Sequence, residues 1–278
     1  MQKSSSKSDN YIPTDIFVRV RPFASSGYHG KTAVAADKGV KVSSENKRIE
    51  NFTENDITIK DEGTLKSTKF DYPKLIISPE INQNDSFKKL EIPEKINYFM
   101  DGHNCTAIAY GQTGSGKTHT MFGPPSLGDE INKLDLDKVD LTEENSFPEN
   151  WGLFARAILT CLSQTKKPSK LENCKFKFTA TVIELYMMEV FDLLNNKSKV
   201  PTSKFGGGEF DFGGVTEIPI DGIEDVAKLA KTVMNERRAS ITNVNDSSSR
   251  SHCIATLNLI CIKGSGDKKE VRRSTFTG

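Results

Sequence analysis

The run Gly111-Gln112-Thr113-Gly114-Ser115-Gly116-Lys117-Thr118 matches G-x-x-x-x-G-K-[ST], the loop that wraps the phosphates of a nucleotide. Glycines at these positions let backbone N–H groups turn inward on an anion. The Lys117 ammonium reaches the β- and γ-phosphates, and the Thr118 hydroxyl can bind Mg²⁺. The sequence therefore predicts a site for Mg²⁺ and for ATP or GTP in this loop.

The residues on either side of the loop support this prediction. Cys105–Tyr110 is a short, mostly apolar run that predicts a buried strand before the loop. The loop should then open a helix, whose N-terminus favours phosphate. The alternative is a chance match in a turn rich in Gly, Ser and Thr, and the strand-loop-helix order makes that interpretation weaker.

Strand and helix patterns alternate along the chain, which predicts an α/β fold: a P-loop NTPase-like central mixed sheet with helices on both faces. The predicted strands are Asp15–Val20, Ile57–Ile59, Cys105–Tyr110, Lys175–Glu184 and His252–Lys263. The predicted helices, with apolar residues near i, i+3 and i+4, are Asp85–Phe99, Leu153–Ser163 and Ile223–Ala239. Asp85 is the expected N-cap of the first helix, with Ser86 as the alternative.

Length and composition predict one large domain. The chain has 278 residues, of which 36% are hydrophobic, and this is long enough for a sizeable core. With 38 basic and 37 acidic side chains the formal net charge is +1, so local patches must attract any acidic partner, and we expect no nucleic-acid partner. The five cysteines lack C-x-x-C spacing, which predicts reduced thiols.

Two segments bear on targeting. Met1–Asn10 is polar and has no apolar h-region, so we expect a flexible lead-in rather than a secretory signal. The strongly apolar stretch Cys253–Ile262 is too short to span a bilayer, so we predict no membrane segment.

Three segments in the same order resemble the kinesin motor domain family. Gly102–Met121 is similar to its phosphate-loop segment, Val18-Arg19-Val20-Arg21-Pro22 to its first-strand motif, and Asn245–His252 to its switch I loop. The resemblance covers residues 12–278 and leaves residues 1–11 as the lead-in. It implies the kinesin fold, ATP and Mg²⁺ as ligands, microtubules as partner and a place in the cytoplasm on the cytoskeleton.

The resemblance also implies the site residues. The catalytic group would be Lys117, Ser248, Ser249 and Arg250, and Mg²⁺ would be bound by Thr118 and Ser249. The nucleotide would be bound by Gly111, Gln112, Thr113, Gly114, Ser115, Gly116, Lys117, Thr118 and His119, with Arg19, Arg21 and Pro22 at the adenine and Asn245 by the phosphates. For Asn243–His252 the alternative is an ordinary Ser/Asn-rich turn, and for Arg19 and Arg21 an ordinary solvent-facing strand.

The chain departs from the family pattern at Arg273–Gly278, where no Asp-x-x-Gly-x-Glu switch II element follows. By the family pattern about the last quarter of a motor domain would be missing, including the glutamate that pairs with Arg250. We therefore expect weak or absent ATP turnover by residues 1–278. We also expect an unpaired edge beside the phosphate-loop strand, and poor stability because of it.

Three further stretches carry weaker signals. Gly123–Asn150 is an acidic insertion, either a tolerated surface loop or a regulatory one. Asn195–Gly214 corresponds to a filament-touching hairpin loop of the family, but a solvated Gly-rich loop is the preferred interpretation. Lys268, Lys269, Arg272 and Arg273 predict a solvated hairpin tip.

Three hypotheses for function follow. The first is the amino-terminal part of a kinesin ATPase that moves along or remodels microtubules. The second is a truncated nucleotide- or microtubule-binding protein without motility. The third is a P-loop enzyme of another class, which explains neither Arg19-Val20-Arg21-Pro22 nor Ser248–His252. No heptad run indicates an oligomeric state.

Overall fold

The structure is a computed structural model with two compact units, Met1–Ile81 and Asn82–Gly278. It describes residues 14–21, 49–61, 63–71, 73–112, 114–124, 148, 151–166, 174–201, 203–204, 210–211, 213–242, 251–264 and 270–278.

The first unit contains two small sheets. Strand β1 (Phe17–Arg19) pairs in parallel with β5 (Leu75–Ile77). Strands β2 (Ile49–Phe52), β3 (Ile57–Lys60) and β4 (Ser67–Phe70) form an antiparallel sheet in that order. A small core of Val20, Ile57 and Ile76 lies in this unit. The prediction at Ile57–Ile59 is confirmed, and the predicted strand Asp15–Val20 is shorter than expected.

The second unit is built on a seven-stranded mixed sheet in the order β6-β14-β13-β7-β8-β9, with β12 also paired to β7. The strands of this unit are β6 (Cys105–Thr106), β7 (Cys174–Tyr186), β8 (Glu189–Asp192), β9 (Ser198–Val200), β10 (Ser203–Lys204), β11 (Phe210–Asp211), β12 (Ile218–Pro219), β13 (Ser251–Lys263) and β14 (Glu270–Thr277). Strand β14 pairs with β6 in parallel, and the other pairs of this sheet are antiparallel.

Strand β13 shows how the sequence sets the two faces of the sheet. Ala255, Leu257, Leu259 and Cys261 are buried, and the residues between them are half-buried, as the two-residue period of a strand requires. Ala255, Leu257 and Leu259 join residues of the helices in one hydrophobic cluster. This mixed sheet packed with helices confirms the predicted α/β class.

Five helices contribute to the described part of this unit: α1 (Gln83–Lys89), α2 (Ile92–Met100), α3 (Lys117–Met121), α4 (Leu153–Lys166) and α5 (Ile223–Thr242). Helix α4 is buried on every side from Leu153 to Ser163, since it packs against α1, α2, α3 and α5. In the described part of the chain, no helix has the length and apolar character needed to cross a membrane.

The predicted helix Asp85–Phe99 was wrong, because the structure has two helices there. Glu91 lies between them with a left-handed backbone (φ 55°), and Pro93 occupies the first turn of α2. Proline lacks the N–H that a continuous helix needs but suits a first turn, so the helix ends and restarts. The N-cap of α1 is Asn82, whose side chain accepts a hydrogen bond from Asp85 N, rather than Asp85 or Ser86.

The predicted buried strand Cys105–Tyr110 is also shorter than expected. Strand β6 ends at Thr106, and Ala107 N donates the next backbone hydrogen bond to Thr277 O (2.8 Å). Beyond this level Ile108 is 84% exposed and Tyr110 is 98% exposed. The apolar side chains of Cys105–Tyr110 gave no information on where β14, the strand that pairs with β6, ends.

Strand β14 bears on two expectations. It pairs in parallel with β6, which is the end strand of this sheet in the described part of the chain, so the strand before the phosphate loop is paired along one edge. Arg272 and Arg273 lie within β14, opposite Cys261 and Ile260, rather than at a hairpin tip. Lys268 and Lys269 lie outside the described residues.

The preferred interpretation of Asn195–Gly214 as a solvated loop was wrong for its described part. Strands β9, β10 and β11 lie in this segment, and β10 pairs antiparallel with β11. Val200 is 4% exposed because β9 packs its side chain with Ile183 and Val190. Gly206–Gly208 lies outside the described residues, as does most of the Gly123–Asn150 insertion.

The turn between β7 and β8 is strained. Tyr186 pairs with Glu189, so Met187 and Met188 form a two-residue hairpin loop. Both have positive φ (48° and 66°), as a type I′ turn demands and as Asn-Gly adopts best. Met188 is also 90% exposed, so its side chain contributes little packing.

We therefore expect the double variant Met187→Asn/Met188→Gly to raise the free energy of unfolding by about 1 kcal/mol. The control Met187→Ala/Met188→Ala removes the same exposed side chains but keeps the unfavourable backbone, and should give no such gain. Urea denaturation of both variants measures the difference. Equal stabilities of the two variants would show that the turn stores no strain.

A buried arginine holds the chain where it returns from the insertion. Arg156, in α4, is 1% exposed. Its Nε donates to Trp151 O (2.9 Å), Nη2 to Pro148 O (2.8 Å) and Nη1 to Asn84 Oδ1 (2.9 Å). The guanidinium therefore connects α4 to α1 and to the residues that precede α4.

Replacing Arg156 by Met should lower the free energy of unfolding by about 3 kcal/mol, because it leaves buried acceptors without a donor. Arg272→Met is the control: Arg272 is exposed and bonds Glu270, and an ion pair on the surface contributes little to stability. Thermal unfolding of both variants tests this. A similar small loss for both would contradict the role given to Arg156.

Candidate functional site

The phosphate-loop candidate begins five residues after β6 and has the backbone that its glycines permit. Gly114 (φ 79°) and Gly116 (φ 99°) both lie in the left-handed region, which an L side chain rarely adopts. Ser115 N donates to Gln112 O (3.2 Å) and closes a tight turn between them. Thr113 lies outside the described residues.

Lys117 folds its side chain back over this turn. Its Nζ donates to Gly111 O (2.7 Å) and to Gln112 O (2.9 Å). An ammonium has three N–H donors, and these bonds use two of them. The positive charge is thus held at the mouth of the loop by the first two residues of the motif.

Helix α3 starts at Lys117 and carries Thr118 in its first turn. Thr120 N donates to Gly116 O (2.9 Å) and Phe122 N donates to Thr118 O (2.8 Å), so the helix follows the loop directly. The Thr118 side chain is half-buried and His119 is exposed. The predicted residues of this segment that the structure describes therefore lie together, as the motif requires.

Sequence reasoning missed two residues that hold α3. Gly152 N donates to Phe122 O (2.9 Å), and a Cβ at Gly152 would lie 2.4 Å from Met121 C. Gln83 Nε2 donates to His119 O. A glycine directly before the apolar run of α4 was the available signal for the first, while nothing in the local pattern marks Gln83.

The two arginines assigned to the adenine belong to the first unit. Arg19 is the last residue of β1 and is half-buried, and Arg21 is exposed two residues later. Burial lowers the pKa of the Arg19 guanidinium below its usual value. An arginine still keeps its charge at neutral pH. Pro22 lies outside the described residues.

The switch I candidates Asn245, Ser248, Ser249 and Arg250 lie outside the described residues. The structure places the two residues that follow them. Ser251 pairs with Tyr186 and His252 with Leu185, so this segment runs directly into β13. His252 is exposed at the start of that strand.

The loop suits a phosphate chain. Its glycines hold the backbone in a turn, and the Lys117 ammonium and the hydroxyls of Ser115 and Thr118 are donors within four residues. Among the described residues no group of three or more His, Cys, Asp or Glu could bind a metal alone. Mg²⁺ fits nevertheless, because it usually arrives with phosphates and keeps several waters, so that a hydroxyl such as that of Thr118 suffices beside them.

Comparison with known proteins gives a consistent family. The family model described as kinesin motor domain matches residues 19–277. The fold is similar to that of a solved structure described as a fast kinesin, with a TM-score of 0.66 and 21% identity over 95% of this chain and 64% of that one.

Curated relatives agree with the family model. Kinesin-like protein KIN-14N of Oryza sativa subsp. japonica is 30% identical over 203 residues, 70% of this chain and 24% of that protein. Kinesin-like protein KIN-14M of the same organism is 29% identical over 188 residues, 66% of this chain and 14% of that protein. Kinesin-like protein klp-12 of Caenorhabditis elegans is 31% identical over 172 residues, 60% of this chain and 10% of that protein. The chain thus spans a quarter or less of the length of these relatives.

Gly152→Ala should lower the free energy of unfolding by about 3 kcal/mol, because its Cβ would meet the backbone at the end of α3 rather than a movable side chain. Gly222→Ala is the matched control, since its Cβ would meet nothing within 4 Å. That variant should be neutral or slightly stabilising. Urea denaturation measures both, and equal losses would contradict the close approach at Gly152.

Proposed function

The chain belongs to the kinesin motor domain family, and we propose that it is part of a motor that binds ATP and Mg²⁺ and couples ATP hydrolysis to movement along, or remodelling of, microtubules. The observation that carries the proposal is the closed phosphate loop, with Lys117 bonded to Gly111 O and Gln112 O, in a chain that matches the family model over residues 19–277. This match leaves the hypothesis of a P-loop enzyme of another class without support. The site of action would be the microtubule cytoskeleton of the cytoplasm.

We assign the phosphates to the loop and to the first turn of α3. Gly111, Gln112, Thr113, Gly114, Ser115 and Gly116 would surround them with backbone donors, and His119 would lie at the edge of the site. Lys117 would exchange its neutral carbonyl acceptors for anionic phosphate oxygens, so that the ammonium would pair with an opposite charge.

The remaining assignments are proposals from the family pattern. Arg19, Arg21 and Pro22 would flank the adenine, and Asn245 and Ser248 would bind near the phosphates. Thr118 and Ser249 would hold Mg²⁺, which supplies charge neutralisation when bound. Arg250 would stabilise charge at the γ-phosphate side.

The first test is binding of a fluorescent Mg·ADP analogue. Lys117→Ala should raise its Kd at least about tenfold, which corresponds to about 1.4 kcal/mol. Lys175→Ala, which removes an exposed lysine of β7, should leave the Kd unchanged. Failure of the unaltered protein to bind, or an equal Kd for the Lys117 variant, would contradict the phosphate site.

Co-sedimentation with microtubules tests the proposed motor function. The unaltered protein should co-sediment with microtubules more strongly with a non-hydrolysable ATP analogue than with ADP, and the Lys117→Ala variant should lose that difference. Nucleotide binding without any microtubule affinity would retain the ATP site and reject the motor.

A further inference from the structure

Helix α3 is too short to be stable without contacts to other elements. It has five residues, and a helix of that length is unstable in isolation. Its last carbonyls have no partner four residues later within the helix, so they need donors from elsewhere. The carbonyl of His119, two residues after Lys117, is one of these. Gly123 N would be its donor in a continuing helix, but Gly123 N donates to Thr118 O instead (3.2 Å).

We propose that Gln83 is a positioning residue for phosphate binding, which rests on the function proposed above. Gln83 opens α1 and is 4% exposed. Its Nε2 donates to the carbonyl of His119 and also lies 3.2 Å from the His119 ring atom Nδ1. One side-chain amide therefore holds both the backbone and the ring of a residue adjacent to Thr118.

The chemistry of the two groups fixes their roles. A carbonyl only accepts, so the Gln83 atom facing it must be the NH₂ group, which has two N–H donors. The second donor lies 3.2 Å from the His119 Nδ1, which can accept it when that nitrogen carries no proton. A glutamate at position 83 has the same shape but no such donors when ionised.

Hydrogen bonds hold the residues on either side of Gln83. On one side Asn82 caps α1, accepting from Asp85 N (2.8 Å). On the other, Asn84 Oδ1 accepts from the buried Arg156 (2.9 Å). The first turn of α1, which carries Gln83, is thus held by its cap and by α4, and the Gln83 carboxamide connects it to the turn that presents Lys117 and Thr118.

A positioning role and a merely structural role make different predictions. If Gln83 orients the phosphate loop, its loss weakens nucleotide affinity while the core remains folded. If it only stabilises the fold, its loss lowers the melting temperature and leaves the affinity of the folded protein unchanged. Binding and unfolding must therefore be measured on the same variants.

The test uses Gln83→Glu and Gln83→Leu, with Gln164→Leu as control. Gln164 lies in α4 and bonds the exposed Asn97 (2.9 Å), away from α3. We expect both Gln83 variants to raise the Kd of a fluorescent Mg·ADP analogue about tenfold and to speed hydrogen exchange of the amides of residues 117–122. The control should change neither.

Each outcome decides the proposal. Folded Gln83 variants with a Kd within twofold of the unaltered protein would overturn it, and would leave the nucleotide site itself intact. Loss of folding in both variants would also overturn it, because Gln83 would then serve the fold. An unaltered protein that binds no nucleotide would reject the proposed function, and the role of Gln83 with it.

Discussion

The pairing of β13 along both of its edges is the interaction on which the second unit depends. Residues Ser251–Lys263 pair with all of β7 on one side, and the second half of the strand pairs with β14 on the other. A one-residue slip would turn Ala255, Leu257 and Leu259 away from the helices, so the hydrophobic pattern fixes the register. Through β14, that register also fixes where β6 ends and where the phosphate loop begins.

Few contacts connect the candidate site to the rest of the second unit. Helix α3 is short, and its position comes from the backbone at Gly152 and from the carboxamide of Gln83. Arg156 then joins α1 and α4, the two helices that carry these contacts. Within the loop, Lys117 Nζ donates to Gly111 O and Gln112 O and so closes the loop. The left-handed turns at Gly114 and Gly116 are therefore held in place by packing that is remote in sequence.

The phosphate-loop prediction needed less information than the prediction of the elements around it. The phosphate loop is a local motif, so its residues could be named without tertiary information, and they lie together in the structure. Sequence analysis did not identify Gln83 and Gly152, because their roles arise from contacts with residues 36 and 31 positions away in sequence. The long strands β7 and β13 and the helices α4 and α5 were predicted from periodicity, whereas β14 was missed because its first four residues are all exposed and one of its two buried residues is Ser274. Pro93 was the overlooked signal that divides α1 from α2.

We propose above that the loop from Gly111 to Thr118 binds the phosphates of a nucleotide. Backbone amide NMR of the ¹⁵N-labelled protein tests it most directly, by titration with Mg·ADP. The largest changes in chemical shift should fall on the amides of Gly114, Ser115, Gly116 and Lys117. Saturable binding that leaves these amides unmoved would contradict it.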